Sequence, residues 1–402
     1  MSTRIISRRV VSGRIPLAAP VVVCLLVFLF SVACDDSTGP EVVHPRLFAD
    51  LDAGAYHTCG VLGDGTLLCW GRNDYGQLGD GTTEDRRTPT PVHSGPVFRS
   101  VSAGWLHTCG VTRDGGAYCW GDNSFGQLGN GERGPQEHLP VSVIAVGRFT
   151  AVAAGHGYTC GLTEAGAVYC WGENLGGSLG AGIEEEFEAV PQEVASNAVF
   201  TDLTAGPGHA CALDQDGQAW CWGSSRAGEL GAPTTETCHL DRPCSRTPLS
   251  VEGGHDFQTL GAGSSATCGV DDAGELLCWG GNSRGQLGDG TTEDRSSPTP
   301  VTGARSWSEV DGGFGRTCGI AEGGEPWCWG EAPLGDGSAE GSLVPVRVSV
   351  STRLRSISVG EGHTCALARE GTAWCWGDND YGQLGDGSPS LGSTLPVIVV
   401  QP

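Results

Sequence analysis

The chain has 402 residues, of which 66 are Gly, 22 Pro and 18 Cys, and its formal net charge is −24. All 23 basic residues are Arg, and so acidic a balance argues against nucleic acid and anionic membrane surfaces as partners while favouring solubility. The length bounds one large domain or two ordinary ones. Glycine placed as Trp-Gly, Gly-Gln-Leu-Gly and Asp-Gly reads as an all-β chain with many tight turns.

Residues 1–33 read as an export signal. Arg4, Arg8, Arg9 and Arg14 form a charged n-region, and Val21 to Phe30 an apolar stretch containing Cys24. Ser31-Val32-Ala33-Cys34, followed at once by polar residues, resembles the bacterial lipoprotein cleavage motif, in which Cys34 becomes the acylated first residue. An ordinary secretory signal or an uncleaved anchor are the alternatives, and both imply export. Cut at Cys34, the chain keeps 19 Arg against 47 acidic residues, a net −28. Residues 34–47 read as a flexible tether, and 48–402 as one repeat domain.

Fourteen cysteines fall in seven pairs, each ten positions apart: Cys59/Cys69, Cys109/Cys119, Cys160/Cys170, Cys211/Cys221, Cys268/Cys278, Cys318/Cys328 and Cys365/Cys375. Their first members recur after 50, 51, 51, 57, 50 and 47 residues, a period that belongs to propellers. Asp64 is the midpoint of the first pair. A hairpin turning there opposes Val61 to Leu67, Gly60 to Leu68 and Cys59 to Cys69, close enough for a disulfide without backbone movement. Zinc is the competing reading, but the spacing lacks a Cys-x-x-Cys knuckle and an exported chain is oxidised. Cys238 and Cys244 form an eighth expected bridge, inside a long insert at 232–246 in the fourth repeat. The sixth repeat is shortened at Gly330 to Gly335.

Each second cysteine is followed by Trp: Trp70, Trp120, Trp171, Trp222, Trp279, Trp329 and Trp376. Side chains alternate along a strand, so disulfide and indole take opposite faces of a blade, and the indole fills the gap to a neighbouring sheet. The first repeat lacks a leading Pro-Val strand, while the last has a surplus one at Leu395 to Val400. The expected fold is an all-β, seven-bladed β-propeller with four-stranded blades and a hairpin disulfide in each. The C-terminal strand is expected to close the ring by entering the first blade.

The recurring Ala-Gly-x-x-His-Thr-Cys, Cys-Trp-Gly and Asn-x-x-Gly-Gln-Leu-Gly-Asp-Gly resemble the repeats named for the regulator of chromosome condensation, best at 53–81 and 359–387. The resemblance implies seven blades. It implies function only loosely, because one fold hosts many activities. The namesake's nucleotide exchange and chromatin binding do not suit an acidic exported chain. The Gly-Trp-Arg-His-Thr of a plant photoreceptor is approached once, at Gly104 to Thr108, with Leu106 in place of Arg. A secreted β-lactamase inhibitor of this fold binds through loops on one face, the nearest analogy for an exported protein.

His57, His107, His209 and His363 precede the Thr-Cys of four blades, and the expectation is a structural hydrogen-bonding role, with no metal or cofactor. The acidic loop from Gly79 to Arg86, repeated at Gly288 to Arg295, lacks a calcium-loop ligand series and reads as turn chemistry. No nucleophile elbow, phosphate loop or zinc-protease helix is present, so an enzyme is not expected. The positions that vary between blades are the pair after each Ala-Gly. Tyr56, Trp105 and Phe314 there are the partner-binding candidates, against ordinary loop variation. The expected function is an extracytoplasmic, monomeric binding or scaffold protein that recognises a protein through one loop face. It meets the membrane only through its lipid. A glycan- or cell-wall-binding module is the alternative.

Overall fold

The computed structural model describes residues 47–401 apart from Ser94 and Ala304. The export signal, Cys34 and the tether up to Arg46 therefore lie outside the described residues. Seven antiparallel sheets follow one another along the chain, six of four strands and one of five. In blade one the strands are Phe48–Ala53, His57–Leu62, Leu67–Gly71 and Arg86–Pro91, hydrogen-bonded in that order. The fifth strand of blade four, Glu236–Cys238, belongs to the insert and pairs with Arg242–Ser250. The single helical element among the described residues is a one-turn 3₁₀ segment in that insert, His239–Asp241.

The hairpins take the expected register, with Val61 opposite Leu67, Gly60 opposite Leu68 and Cys59 opposite Cys69. Leu62 N–H donates to the Thr66 carbonyl at 2.8 Å, which makes the cysteine site a non-hydrogen-bonded pair three positions on. Such pairs bring α-carbons closest, and here they are 4.1 Å apart. All seven expected hairpin disulfides are closed. Cys59–Cys69, Cys109–Cys119, Cys211–Cys221 and Cys268–Cys278 each span 4.1 Å between α-carbons. Cys318–Cys328 and Cys365–Cys375 span the same distance, and Cys160–Cys170 spans 4.0 Å. The insert's bridge, Cys238–Cys244, spans a wider 5.8 Å.

The apolar core is divided into seven wedges between sheets, each packing the disulfide of one blade against the Trp of the next. Cys59 and Cys69 meet Trp120, Cys109 and Cys119 meet Trp171, and Cys160 and Cys170 meet Trp222. Cys211 and Cys221 meet Trp279, and Cys268 and Cys278 meet Trp329. Cys318 and Cys328 meet Trp376, and Cys365 and Cys375 return to Trp70. All seven indoles are fully buried. Six of them donate Nε1–H to a backbone carbonyl in the preceding blade, as Trp120 does to Gln77 at 2.9 Å and Trp70 to Gln383 at 3.0 Å. Trp376 has no such partner, because blade six has lost the segment that would supply the carbonyl.

One expectation is corrected. The C-terminal strand, Gly392–Ile398, pairs with Ala373–Asp378 as the outermost strand of blade seven, and does not enter blade one. The Pro-Val strands close their own blades instead of opening the next, so blade one is completed by Arg86–Pro91. Side-chain contacts close the ring: the Trp70 wedge, Ser358 Oγ accepting from Ala53 N–H at 2.9 Å, and Arg355 donating to the Phe48 carbonyl at 3.1 Å.

Candidate functional site

In a four-stranded meander the first and third loops emerge at the same end. The loop after each Ala-Gly and the loop carrying Asn-x-x-Gly-Gln therefore share one face of the ring. The Ala-Gly glycines are held there by proximity. A Cβ on Gly54 would meet the Gly104 carbonyl, one on Gly104 the Gly155 carbonyl, and so on through Gly206, Gly263, Gly313 and Gly360 back to Gly54, every approach under 3.0 Å. Just below, His57 Nε2 bonds Thr108 Oγ1 at 2.8 Å, and His107, His209 and His363 reach Thr159, Thr267 and Thr58 identically. Thr108 Oγ1 donates its own proton to the Gln77 carbonyl, so the imidazole must donate Nε2–H to Thr108. Burial holds His57 and His363 down to about 3 and His107 and His209 down to about 4. These histidines are struts between blades.

On this frame Tyr56 and Trp105 meet edge to face, ring centres 5.9 Å apart. Trp105 continues to His156 at 4.5 Å, and Tyr56 to Tyr381 at 5.9 Å, which makes a four-ring arc over blades seven, one, two and three. Arg72 lies against Tyr56 and Tyr381 with its guanidinium carbon 5.3 and 5.2 Å from the ring centres. Burial and a hydrogen bond to Glu361 push the Tyr56 phenol up to about 12. Phe314 is 37% exposed and sits apart from the arc on blade six, beneath Arg284. It shares with Trp105 and His156 the rim of the central channel, a cavity of about 290 Å³. Tyr381 and Arg72 lie outside the loop the sequence points to, whereas His156 belongs to the varying pair after Ala154-Gly155 without being one of its aromatic candidates. The signal for Tyr381 was the variable residue before Gly-Gln, filled by Tyr75, Phe125, Arg284 and Tyr381 in different blades.

The channel wall is made by the first strand of each blade, whose side chains cap the neighbouring strand's edge. Asp52 accepts from Ala103 N–H at 2.7 Å, Ser102 from Ala154, Thr204 from Ala262, Asp311 from Val359 at 2.7 Å, and Ser358 from Ala53. Asp50 and Glu309 do the same one level away. Burial raises the carboxyls of Asp50 to about 6 and Glu309 to about 7, and raises Asp52 and Asp311 as well. Among the described residues no three His, Cys, Asp or Glu side chains are grouped to hold a metal ion.

A second cavity, of about 400 Å³, opens on the same face between blades three and four. The insert forms its roof: Cys238–Cys244 staples it, and His239 N–H donates to the Leu175 carbonyl of blade three at 3.2 Å. Leu240 and Asp241 at the insert's tip hold left-handed φ values of 61° and 53°, a strained conformation for residues with a side chain. Glu173, Arg226, His239 and Arg242 line this cavity, and His156 borders both cavities. Burial raises the Glu173 carboxyl, with nearby His239 opposing.

The RCC1-like domain family is matched over residues 133–401, and regulator of chromosome condensation (RCC1) repeat families over 64–111, 48–77 and 98–127. The ultraviolet-B receptor UVR8 of Arabidopsis thaliana is 30% identical over 275 residues, 66% of this chain and 60% of the receptor. The probable E3 ubiquitin-protein ligase HERC4 of Rattus norvegicus is 36% identical over 255 residues, 62% of this chain and 24% of the ligase. The chain thus spans less than two thirds of either relative. Human WBSCR16 superimposes with a TM-score of 0.76 at 19% identity, covering 84% of this chain and 95% of that one. Prp20p of Saccharomyces cerevisiae gives 0.74 at 20% identity, covering 89% and 88%. At such identities these structures show the fold alone. With seven disulfide-stapled blades and a family match over most of its length, the chain belongs to the RCC1-like domain family of β-propellers.

Proposed function

We propose that this chain is an exported, lipid-anchored binding protein that recognises a protein partner through the loop face around Tyr56 and Trp105. The arc Tyr381–Tyr56–Trp105–His156, built from varying residues on an invariant frame, carries the reading. Aromatic rings backed by an arginine are what anchors protein interfaces. Tyr56 is spoken for on one side by Arg72 and at its hydroxyl by Glu361, which leaves a ridge better suited to a partner's pocket than to a sugar ring. Propellers of this fold serve as binding platforms: yeast Prp20 has been crystallised with Kap60, and Prp20p binds Gsp1p and histones. Eight disulfides suit an oxidising compartment, in keeping with the leader and Cys34. The acidic surface keeps the protein in solution around its tether and steers basic partners towards it.

The test is capture of exported proteins and cell-wall fragments on the chain from Cys34 onward, with Cys34→Ser. One protein retained by this chain and lost with Tyr56, Trp105 and Phe314 all changed to Ala is the expected result. Retention of wall fragments alone would transfer the face to glycans, and equal behaviour of the two chains would remove it. In the intact cell, Cys34→Ser should move the protein from the membrane to the soluble fraction.

A further inference from the structure

We propose that the cavity beneath the stapled insert binds a small zwitterion, a free amino acid or a short peptide with free ends. Glu173 receives its ammonium group, and Arg242, with Arg226, its carboxylate. The cavity opens on the loop face, but its chemistry is independent of the aromatic arc.

The other blades provide internal controls. At the position of Glu173, directly after Cys-Trp-Gly, the charged side chains of blades one, two and six find a polar partner close by, while Asp378 of blade seven is exposed to water and feels Arg316. Arg72 pairs with Asp74 at 2.7 Å, Asp122 accepts from Gln127 Nε2 at 2.8 Å, and Glu331 pairs with Arg284. Blade three has Ser178 where blade two has Gln127, and Ser178 Oγ turns back to the Glu173 backbone carbonyl at 2.5 Å. The Glu173 carboxylate is left half-buried with no hydrogen bond among the described residues, and a charge withdrawn from water in that way favours any cation that reaches it. Ser178 also lines the cavity, so the shorter side chain supplies room as well as charge.

The basic half comes from blade four. Arg242 belongs to the insert, Arg226 to the preceding loop, and among the described residues neither forms an ion pair. A guanidinium presents paired donors that match a carboxylate, which a neutral amide or an ammonium does not. The two departures from the repeat, Ser178 and the insert, thus converge on one cavity that sets the Glu173 carboxylate, near His239, against the guanidinium of Arg242, while Arg226 also offsets the buried Glu229 carboxylate that lines it. Its volume of about 400 Å³ is at the small end of ligand sites and suits a molecule of one or two amino acids. The Cys238–Cys244 staple holds the roof in place beforehand, which lowers the entropic cost of closing on so small a ligand.

Isothermal titration calorimetry of the disulfide-bonded chain tests this with glycine, L-alanine and L-alanyl-L-alanine, each also N-acetylated and C-amidated. At least one free-ended probe should bind, and blocking either end should weaken it about tenfold or more, as expected for loss of an ion pair. Glycine or alanine binding assigns a free amino acid, and dipeptide binding alone a peptide. Glu173→Gln and Arg242→Gln should each weaken binding similarly. Ser178→Gln should abolish it by restoring the blade-two pattern. Glu173 is half-buried and Arg242 exposed, so their unfolding curves should overlie the wild type; Ser178 is buried and bonds the Glu173 carbonyl, so Ser178→Gln should cost some stability and the two charge variants carry the test. No binding of free-ended probes at millimolar concentration, equal binding of blocked and free probes, or indifference to all three substitutions would overturn the proposal.

Discussion

The seven Trp side chains occupy equivalent positions but not equivalent environments. Trp120 donates to the Gln77 carbonyl, whereas Trp376 buries its Nε1–H without a partner. An intramolecular hydrogen bond contributes about 1 kcal/mol net, and an unpaired buried donor costs more than a satisfied one. Trp120→Phe and Trp376→Phe remove the same volume from similar wedges, so the transfer and cavity costs should nearly cancel between them. Trp376→Phe should therefore be the milder change, by about 1 kcal/mol or more, in denaturant unfolding without reductant. Equal losses would mean that another group satisfies the Trp376 indole. That this residue is the exception was readable in advance only as the shortened sixth repeat. The consequence sits 42 residues beyond Leu334, in the next blade, where repeat alignment does not point.

At the scale of strands and loops, the Ala-Gly step carries the ring. Its glycines look like ordinary loop markers, yet a Cβ on Gly104 would come within 2.7 Å of both the Gly155 carbonyl and the His107 ring. Gly104→Ala must push two blades apart, an overpacking cost of about 1–3 kcal/mol or more. Gly63→Ala, in the hairpin turn with nothing near its Cβ position, should be neutral or gain up to about 1 kcal/mol by restricting the unfolded chain. If both unfold alike, the glycine ring is not under steric control. The hairpins were legible because a ten-residue cysteine spacing, its midpoint and the strand's twofold alternation leave one register. Cys170, Cys221, Cys278 and Cys328 each face the partner that this spacing assigns. The phase of the blade was not legible. A periodic sequence sets the repeat length but not where a blade begins, and a Pro-Val strand serves equally as last or first. Pairing of Cys69 with Thr90 decides it, and the C-terminal strand follows. The binding face was half legible on the same grounds. Tyr56 and Trp105 belong to the same two-residue step in consecutive blades, one at its second and one at its first position, and so stand close to each other. Arg72 and Tyr381 come from a different loop, and only the folded blade brings them there.

The ring as a whole buries two sets of ionisable groups with opposite responses to pH. Asp50 near 6 and Glu309 near 7, with Asp52 and Asp311 also raised, hold protons in the folded chain that the unfolded chain releases at about 4. Their stabilising contribution is complete below that point and is lost as pH rises through their folded values. The four strut histidines, held down to about 3 or 4, behave conversely. Their contribution is complete above the unfolded value near 6.5 and is lost as pH falls. Between about pH 4.5 and 6.5 the two slopes oppose, so the wild type's stability should change little there. Single substitutions separate them. Glu309→Gln keeps an acceptor for Ile357 N–H but cannot ionise, so relative to wild type it should gain about 2–3 kcal/mol between pH 4.5 and 8. His209→Gln keeps a donor for Thr267 without a basic nitrogen, so its relative stability should rise as pH falls from 7 to 5. Chemical unfolding of the three proteins across this range should give difference curves of opposite sign. A flat Glu309→Gln curve would mean that water in the channel solvates Glu309. The loss of stability as pH rises would then fall to Asp50, Asp52 and Asp311, while the loss as pH falls would still come from the histidine struts.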